Sequence, residues 1–302
     1  MQLKYFVLGI LILHFLATSD RIHTQENTVP FGRTDTASFA KIRGDHGGPG
    51  IVRRTDILTG GDFKTDLLFV RAGEILPKSG IGEHAIEGAD IMYVLFDGPV
   101  TFVRNGRAGT LGAGSMILCT DGASHGMYNG TNSVKRWLAV AVGRDKTEPQ
   151  TVEVNPSVGE ITVESAPPFS TLTLDRDAMS ESANAHDGKG PILFRRLFNP
   201  DAFTTNWYVV SHAVLPPGSS IGYHRHATRE EVYYVISGTG RITVNGKTFD
   251  VRAGDASPCP LGGAHGIWNN GEEDLDLLVF SASVEKGVVT GEENLGDDLV
   301  GR

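Results

Sequence analysis

Two neighbouring blocks decide how the chain reads. The first is Gly218-Ser-Ser-Ile-Gly-Tyr-His224-Arg-His226-Ala-Thr-Arg-Glu230-Glu231-Val-Tyr-Tyr-Val-Ile-Ser-Gly238, and the second is Gly254-Asp-Ala-Ser-Pro-Cys-Pro260-Leu-Gly262-Gly-Ala-His265-Gly-Ile-Trp-Asn269. Side chains alternate across a strand, so His224 and His226 share one face. Glu231 follows with Tyr233 and Val235 in phase on the next predicted strand, and His265 arrives on a later one after the Pro260-x-Gly262 turn. Three neutral imidazoles and one carboxylate suit one divalent transition metal: Fe, Mn, Ni, Co, Cu or Zn. Four protein ligands on a six-coordinate ion would leave two positions for water, oxygen or a chelating substrate.

These blocks closely resemble the two motifs of the cupin family. Gly218, His224, His226, Glu231 and Gly238 fit the first motif, and Gly254, Pro260, Gly262, His265 and Asn269 fit the second. The resemblance implies a small antiparallel β-barrel, the jelly-roll or double-stranded β-helix, with a metal held in its mouth by His224, His226, Glu231 and His265.

A fainter copy lies 140 residues upstream. His224, His265, Gly238, Gly254, Gly262 and Asn269 fall on His84, His125, Gly98, Gly114, Gly122 and Asn129. The hairpin turn Asn245-Gly246 falls on Asn105-Gly106. This is an internal duplication, and the chain resembles the two-barrel cupins called bicupins. The expected fold class is therefore all-β, with two tandem barrels and a connector. The copies differ where chemistry is at stake: His226 falls on Ile86 and Glu231 on Ile91, so the first barrel reads as metal-free. Lys78 stands where Gly218 would be, and Cys119 and Cys259 are two copies of one small packing residue rather than a disulfide pair. Asn129-Gly-Thr131 is a formal glycosylation sequon, but the family motif already demands that asparagine.

The remaining segments set the boundaries. Residues 1–19 read as a signal peptide, with Lys4, an apolar run from Tyr5 to Leu16, and cleavage near Ser19. This implies a secreted or periplasmic protein with no membrane attachment in its mature form. Residues 20–45 read as an arm, 46–150 as the first barrel, 151–185 as an irregular connector, 186–285 as the second barrel and 286–302 as a flexible tail. His46 and His186, in matching Gly-rich loops, read as solvated. Glu230 reads as a solvated or edge-facing charge, and Arg225 as facing away from the histidines. The 302 residues carry a net charge of −9 and no basic cluster, which argues against nucleic acid or anionic membrane as partners. A small-molecule substrate is expected, and a homodimer is compatible with exposed barrel edges.

Three functions compete. The first is a metal-dependent dioxygenase-type oxidoreductase, since the complete three-His, one-Glu set resembles quercetinase-like and oxalate-degrading cupins. The second is an isomerase, lyase or decarboxylase using the metal as a Lewis acid. The third is a non-catalytic exported binding protein. Because a ligand imidazole must be neutral, metal is expected to leave below about pH 5–6, where free histidines protonate.

Overall fold

The apolar run Trp137-Leu-Ala-Val-Ala-Val142 and its copy Leu277-Leu-Val-Phe-Ser-Ala282 are buried along their whole length. The computed structural model, which describes residues 31–296 and Leu299, supplies the reason. Trp137, Ala139 and Ala141 face a barrel interior with Ile81, Ile91 and Tyr93. Leu138, Val140 and Val142 face the opposite way, into a core shared with Trp207, Val210 and Phe280 of the other half. A strand with apolar layers on both sides reads as continuous rather than alternating hydrophobicity.

Each half is a jelly-roll of two sheets. In the first, the larger sheet runs Leu172–Thr173, Ser115–Cys119, Ala89–Leu95, Lys135–Gly143, Leu67–Ile75, Ile51–Thr59, Ala40–Arg43. The smaller runs Gln150–Asn155, Ser79–Glu87, Ser124–Asn129, Val100–Arg104, Arg107–Leu111, Val163–Glu164. In the second, the larger sheet runs Gly32–Arg33, Asp255–Cys259, Arg229–Ser237, Leu275–Ser283, Trp207–Leu215, Pro191–Phe198, Ser180–Ala183. Its smaller sheet runs Lys247–Arg252, Thr239–Val244, Ala264–Trp268, Ser220–His226, Glu292–Asn294. The architecture is all-β, two tandem barrels, as the sequence implies.

The duplication reaches further than the motifs. Gly32 pairs with Ala256, and Leu172, 140 residues on, pairs with Met116, which lies 140 residues before Ala256. Each copy therefore sends its leading segment to the edge of the other copy's larger sheet. Arg33 anchors one of these exchanged segments through a two-pronged bond to Asp255 at 2.6 and 2.9 Å.

This redraws the expected boundaries. The arm is not a separate element, because Ala40–Arg43 is an edge strand of the first barrel. The connector begins with Gln150–Asn155, which completes the first barrel's smaller sheet against Ser79–Glu87. The expected flexible tail contains Glu292–Asn294, paired with His224–His226 in the register equivalent to that edge strand. A free sheet edge beside Ser220–His226 is a row of unpaired backbone groups, and the tail covers part of it. The signal-peptide reading lies outside the described residues.

The turns follow the sequence chemistry. Asn105-Gly106 and Asn245-Gly246 all have positive φ, as a two-residue hairpin turn requires. Lys78 keeps the left-handed conformation of Gly218 at φ 54°, without glycine's freedom there. Asn129 and Asn269 are fully buried. The Asn129 amide donates to the carbonyls of Ile75, Leu76 and Ser133 at 3.0, 3.1 and 2.7 Å. That anchoring role explains the motif asparagine, and burial removes Asn129 as a glycan acceptor. Cys119 and Cys259 sit at equivalent buried positions in separate barrel interiors.

The two larger sheets are locked by a reciprocal pair of buried carboxylates at positions 140 apart. Asp90 accepts from the backbone N–H groups of Thr204 and Thr205 at 2.6 and 2.9 Å and from both threonine hydroxyls. Glu230 accepts from the N–H groups of Lys64 and Thr65 at 2.9 and 2.7 Å and from the Thr65 hydroxyl. Glu230 is thus an interface clasp rather than a solvated charge, with 1% of its surface exposed. Truncating Asp90→Ala strands several buried donors, each costing about 1–3 kcal/mol. The expected loss is on the order of 3 kcal/mol or more, read as a lower urea midpoint, and a loss under ~1 kcal/mol would remove the clasp from the account of stability.

Candidate metal centre

His224 and His226 project from strand Ser220–His226, Glu231 from Arg229–Ser237 and His265 from Ala264–Trp268. Pairing sets His224 directly opposite His265. The turn at Gly262, with φ 70°, is tied to the His226 carbonyl through a 2.9 Å bond from the Gly262 N–H. All four side chains are buried, and one ligand atom from each lies within 4.8 Å of all the others. Among the described residues this is the single such cluster of His, Cys, Asp and Glu.

The donor set fits a divalent metal. His224 Nδ1 donates to the Gly222 carbonyl at 2.8 Å, which directs its Nε2 lone pair inward, and that buried atom has no hydrogen-bond partner. His265 Nε2 lies 3.3 Å and His226 Nε2 3.7 Å from Glu231 Oε2. Burial lowers the His224 pKa, reinforced by repulsion from His265 and His186. Burial also lowers His265, partly offset by Glu231. For Glu231, burial alone would raise the pKa, but the adjoining His226 and His265 and the charge of Arg229 hold it well below the usual carboxylate range. Neutral imidazoles facing an ionised carboxylate are the protonation states that ligation needs.

His186 is half-buried rather than solvated. Its ring stacks on His224 at 3.6 Å and 4°, and His46 stacks on His84 at 3.6 Å and 9°. Both residues have positive φ in a short turn laid over the barrel mouth. A Cβ on Gly222 would stand 2.0 Å from the His186 carbonyl oxygen, so glycine is required for that approach. His186 Nδ1 reaches Asn294 Oδ1 at 3.2 Å, which joins the loop to the tail strand. Arg225 points outward and pairs with Glu293.

From sequence, Arg229 stands among the residues neighbouring the cluster, with no role in the site assigned to it. Its guanidinium is buried, with Nε 3.2 Å from Glu231 Oε1 and Nη2 3.1 Å from both His226 Nε2 and Glu292 Oε2, over the Tyr208 ring at 4.9 Å. The signal was available, since Arg229, Glu231 and Tyr233 share strand phase. Glu292 carried no such signal, because its contact depends on where the tail returns. Beside the ligands opens a cavity of about 470 Å³ whose lining includes Tyr208, Arg229, Tyr233, Arg196 and Glu292. Burial, reinforced by Glu231, pushes the Tyr233 pKa well above the usual phenol range, so it stays protonated.

The first barrel repeats the frame without the set. His84 and His125 face each other 4.5 Å apart, and Ile86 and Ile91 occupy the positions of His226 and Glu231. Burial, then the neighbouring His46, lowers His84 to about 4. Burial, then His84, lowers His125 to about 3.

Comparison with known proteins agrees with this geometry. Residues 211–281 match the model of the Cupin domain. The chain is 35% identical over 96 residues to the oxalate-binding protein of Thermotoga maritima, a match covering 32% of this chain and 79% of that protein. In fold it is similar to salicylate 1,2-dioxygenase of Pseudoaminobacter salicylatoxidans (TM-score 0.62, 14% identity, 86% of each chain covered). It is also similar to oxalate decarboxylase of Lactobacillus farciminis (TM-score 0.59, 16% identity, 89% of each chain covered). Two barrels in one chain, one with a complete three-His, one-Glu cluster and one with two histidines, place this protein in the cupin family as a bicupin.

Proposed function

We propose that the second barrel is a mononuclear metal centre acting on a small organic acid, and that the protein is a dioxygenase-type oxidoreductase. The observation that carries this is the buried His224, His226, Glu231 and His265 cluster opening onto a cavity with a buried arginine at its wall. Those four residues would hold one Fe, Mn, Ni, Co, Cu or Zn ion, which supplies a Lewis-acidic, oxygen-activating or substrate-chelating position. Arg229 offers a forked donor that matches a carboxylate, and Arg196 at the cavity makes no ion pair among the described residues. Glu292 holds Arg229 until a substrate carboxylate replaces it. Tyr233, kept protonated, can donate a hydrogen bond to a substrate oxygen.

A second reading, the metal as Lewis acid in a decarboxylase, lyase or isomerase, is favoured by the fold shared with oxalate decarboxylase. The name of the Thermotoga relative supports a third, binding of a small dicarboxylate without turnover. Oxygen consumption with salicylate, gentisate and oxalate separates the three. Oxygen-dependent turnover is expected, turnover preserved without oxygen would transfer the assignment to the Lewis-acid reading, and tight binding without turnover to the third.

Elemental analysis is expected to find one metal per chain, lost in His226→Ala and kept in His84→Ala; loss in the latter would make the first barrel a metal site. Arg229→Met is expected to keep its metal while kcat/KM for a carboxylate substrate falls roughly 10- to 100-fold, the worth of a lost charged hydrogen bond. An unchanged kcat/KM would remove Arg229 from substrate recognition.

The structure also shifts the expected pH of metal loss. Protons compete with metal for the imidazoles, and burial lowers the proton affinity of His224 and His265. Competition therefore sets in at lower pH than for a free histidine, whose pKa is about 6.5. Dialysis at stepped pH is expected to leave the metal bound below the range of about 5–6 set by free histidines; loss starting near neutrality would contradict this.

A further inference from the structure

The first barrel encloses a cavity of about 660 Å³, larger than the one beside the metal ligands. Its walls have exchanged chemistry for bulk. Ile86 and Ile91 stand where the second barrel has His226 and Glu231, Ala89 where it has Arg229, and Trp137 where it has Leu277. Phe69, Tyr93 and Trp137 make the lining aromatic.

The cations at this cavity are already matched. Arg54 pairs with Asp45 at 3.1 Å and Arg71 with Asp56, while Lys146 donates to the carbonyls of Gly60, Phe63 and Leu67. Exposed Glu148 adds negative charge at the same lining. An anionic ligand therefore finds no spare partner, and a neutral one is favoured.

The Trp137 indole N–H edge is packed against Gly73 with no accessible surface, so Trp137 meets the cavity as an apolar wall. One polar group of the lining remains unanswered. His84 Nδ1 donates to the Gly82 carbonyl at 2.9 Å, so its Nε2 is an acceptor, and His84 lines the cavity. His125, behind it, lies off the cavity lining. Burial keeps both imidazoles neutral at ordinary pH. A neutral acceptor in an aromatic cavity asks for a group that donates a hydrogen bond without carrying charge, which a hydroxyl does.

We infer that the first barrel is a metal-independent binding site for a neutral, hydroxylated aromatic molecule, its hydroxyl donating to His84 and its ring packed against Trp137. With Ile86 and Ile91 at the positions of His226 and Glu231, this site offers apolar and hydrogen-bonded recognition in place of coordination. The inference does not depend on the reaction assigned to the second barrel.

The test is calorimetric titration of the purified full-length protein with 4-propylphenol, with and without a metal chelator. One molecule per chain is expected, unaffected by the chelator and about ten-fold tighter than 4-propylbenzoate, which has a charge in place of the hydroxyl. Trp137→Phe is expected to weaken binding about ten-fold, and Ile91→Phe, which fills the cavity, to abolish it. Arg229→Met, in the other barrel, should leave it unchanged. Thermal melts confirm that each variant is folded, and Trp137→Phe alone suffices if Ile91→Phe is not. No binding, tighter binding of the benzoate, or equal affinity in a folded Trp137→Phe variant would overturn the inference.

Discussion

The constraint on which this structure turns is that each larger sheet is apolar on both faces. One face closes its own barrel, and the other must be kept from water. The duplicated chain meets this demand by setting the two sheets against each other, so that Met92, Leu138 and Val140 share a core with Trp207, Phe280 and Val210. Burying backbone N–H groups at that junction would be costly without acceptors. Asp90 and Glu230 supply them reciprocally, each capping the other copy's Thr-containing turn. The exchanged segments at Gly32 and Leu172 extend the same symmetry to the sheet edges. Neither barrel is a self-sufficient unit with a linker; each is completed by the other.

Within that frame the two interiors have been free to diverge. Both keep the facing histidine pair and the histidine stacked over it, because these positions follow from strand register and from a glycine that admits the loop. They differ at the positions where His226 and Glu231 became Ile86 and Ile91, or the reverse. A cluster of buried imidazoles beside a carboxylate is held at a cost in desolvation that a bound cation relieves. Two isoleucines carry no such cost, and they leave a larger and more apolar cavity. The same fold thus presents a cluster of candidate metal ligands in one half and an apolar cavity with sparse polar groups in the other.

Beside the His–Glu cluster, Arg229 couples three parts of the chain. It lies against Glu231 and His226 of the cluster, over Tyr208 of the neighbouring strand, and against Glu292 of the returning tail. A guanidinium this deeply buried is tolerable because both adjoining carboxylates answer its charge. The tail strand therefore bears on the electrostatics of the cavity as well as closing a sheet edge.

Much of this was legible in the residues alone. The His-x-His spacing, the later Glu231 and His265, and the 140-residue register determined a two-barrel β fold and named the cluster, because strand alternation and turn geometry are local and repeat with fixed period. The same local rule, applied to Arg229, would have placed it beside Glu231. What periodicity could not reach were contacts between segments far apart in sequence. The stacking of His186 on His224, the clasp of Glu230 on Lys64 and Thr65, the exchange of Gly32 and Leu172, and the return of Glu292 to Arg229 all join such segments. No local pattern encodes those pairings. They were decided by the tertiary structure, since they exist only once two apolar sheet faces have been buried against each other and the remaining edges and charges have found partners.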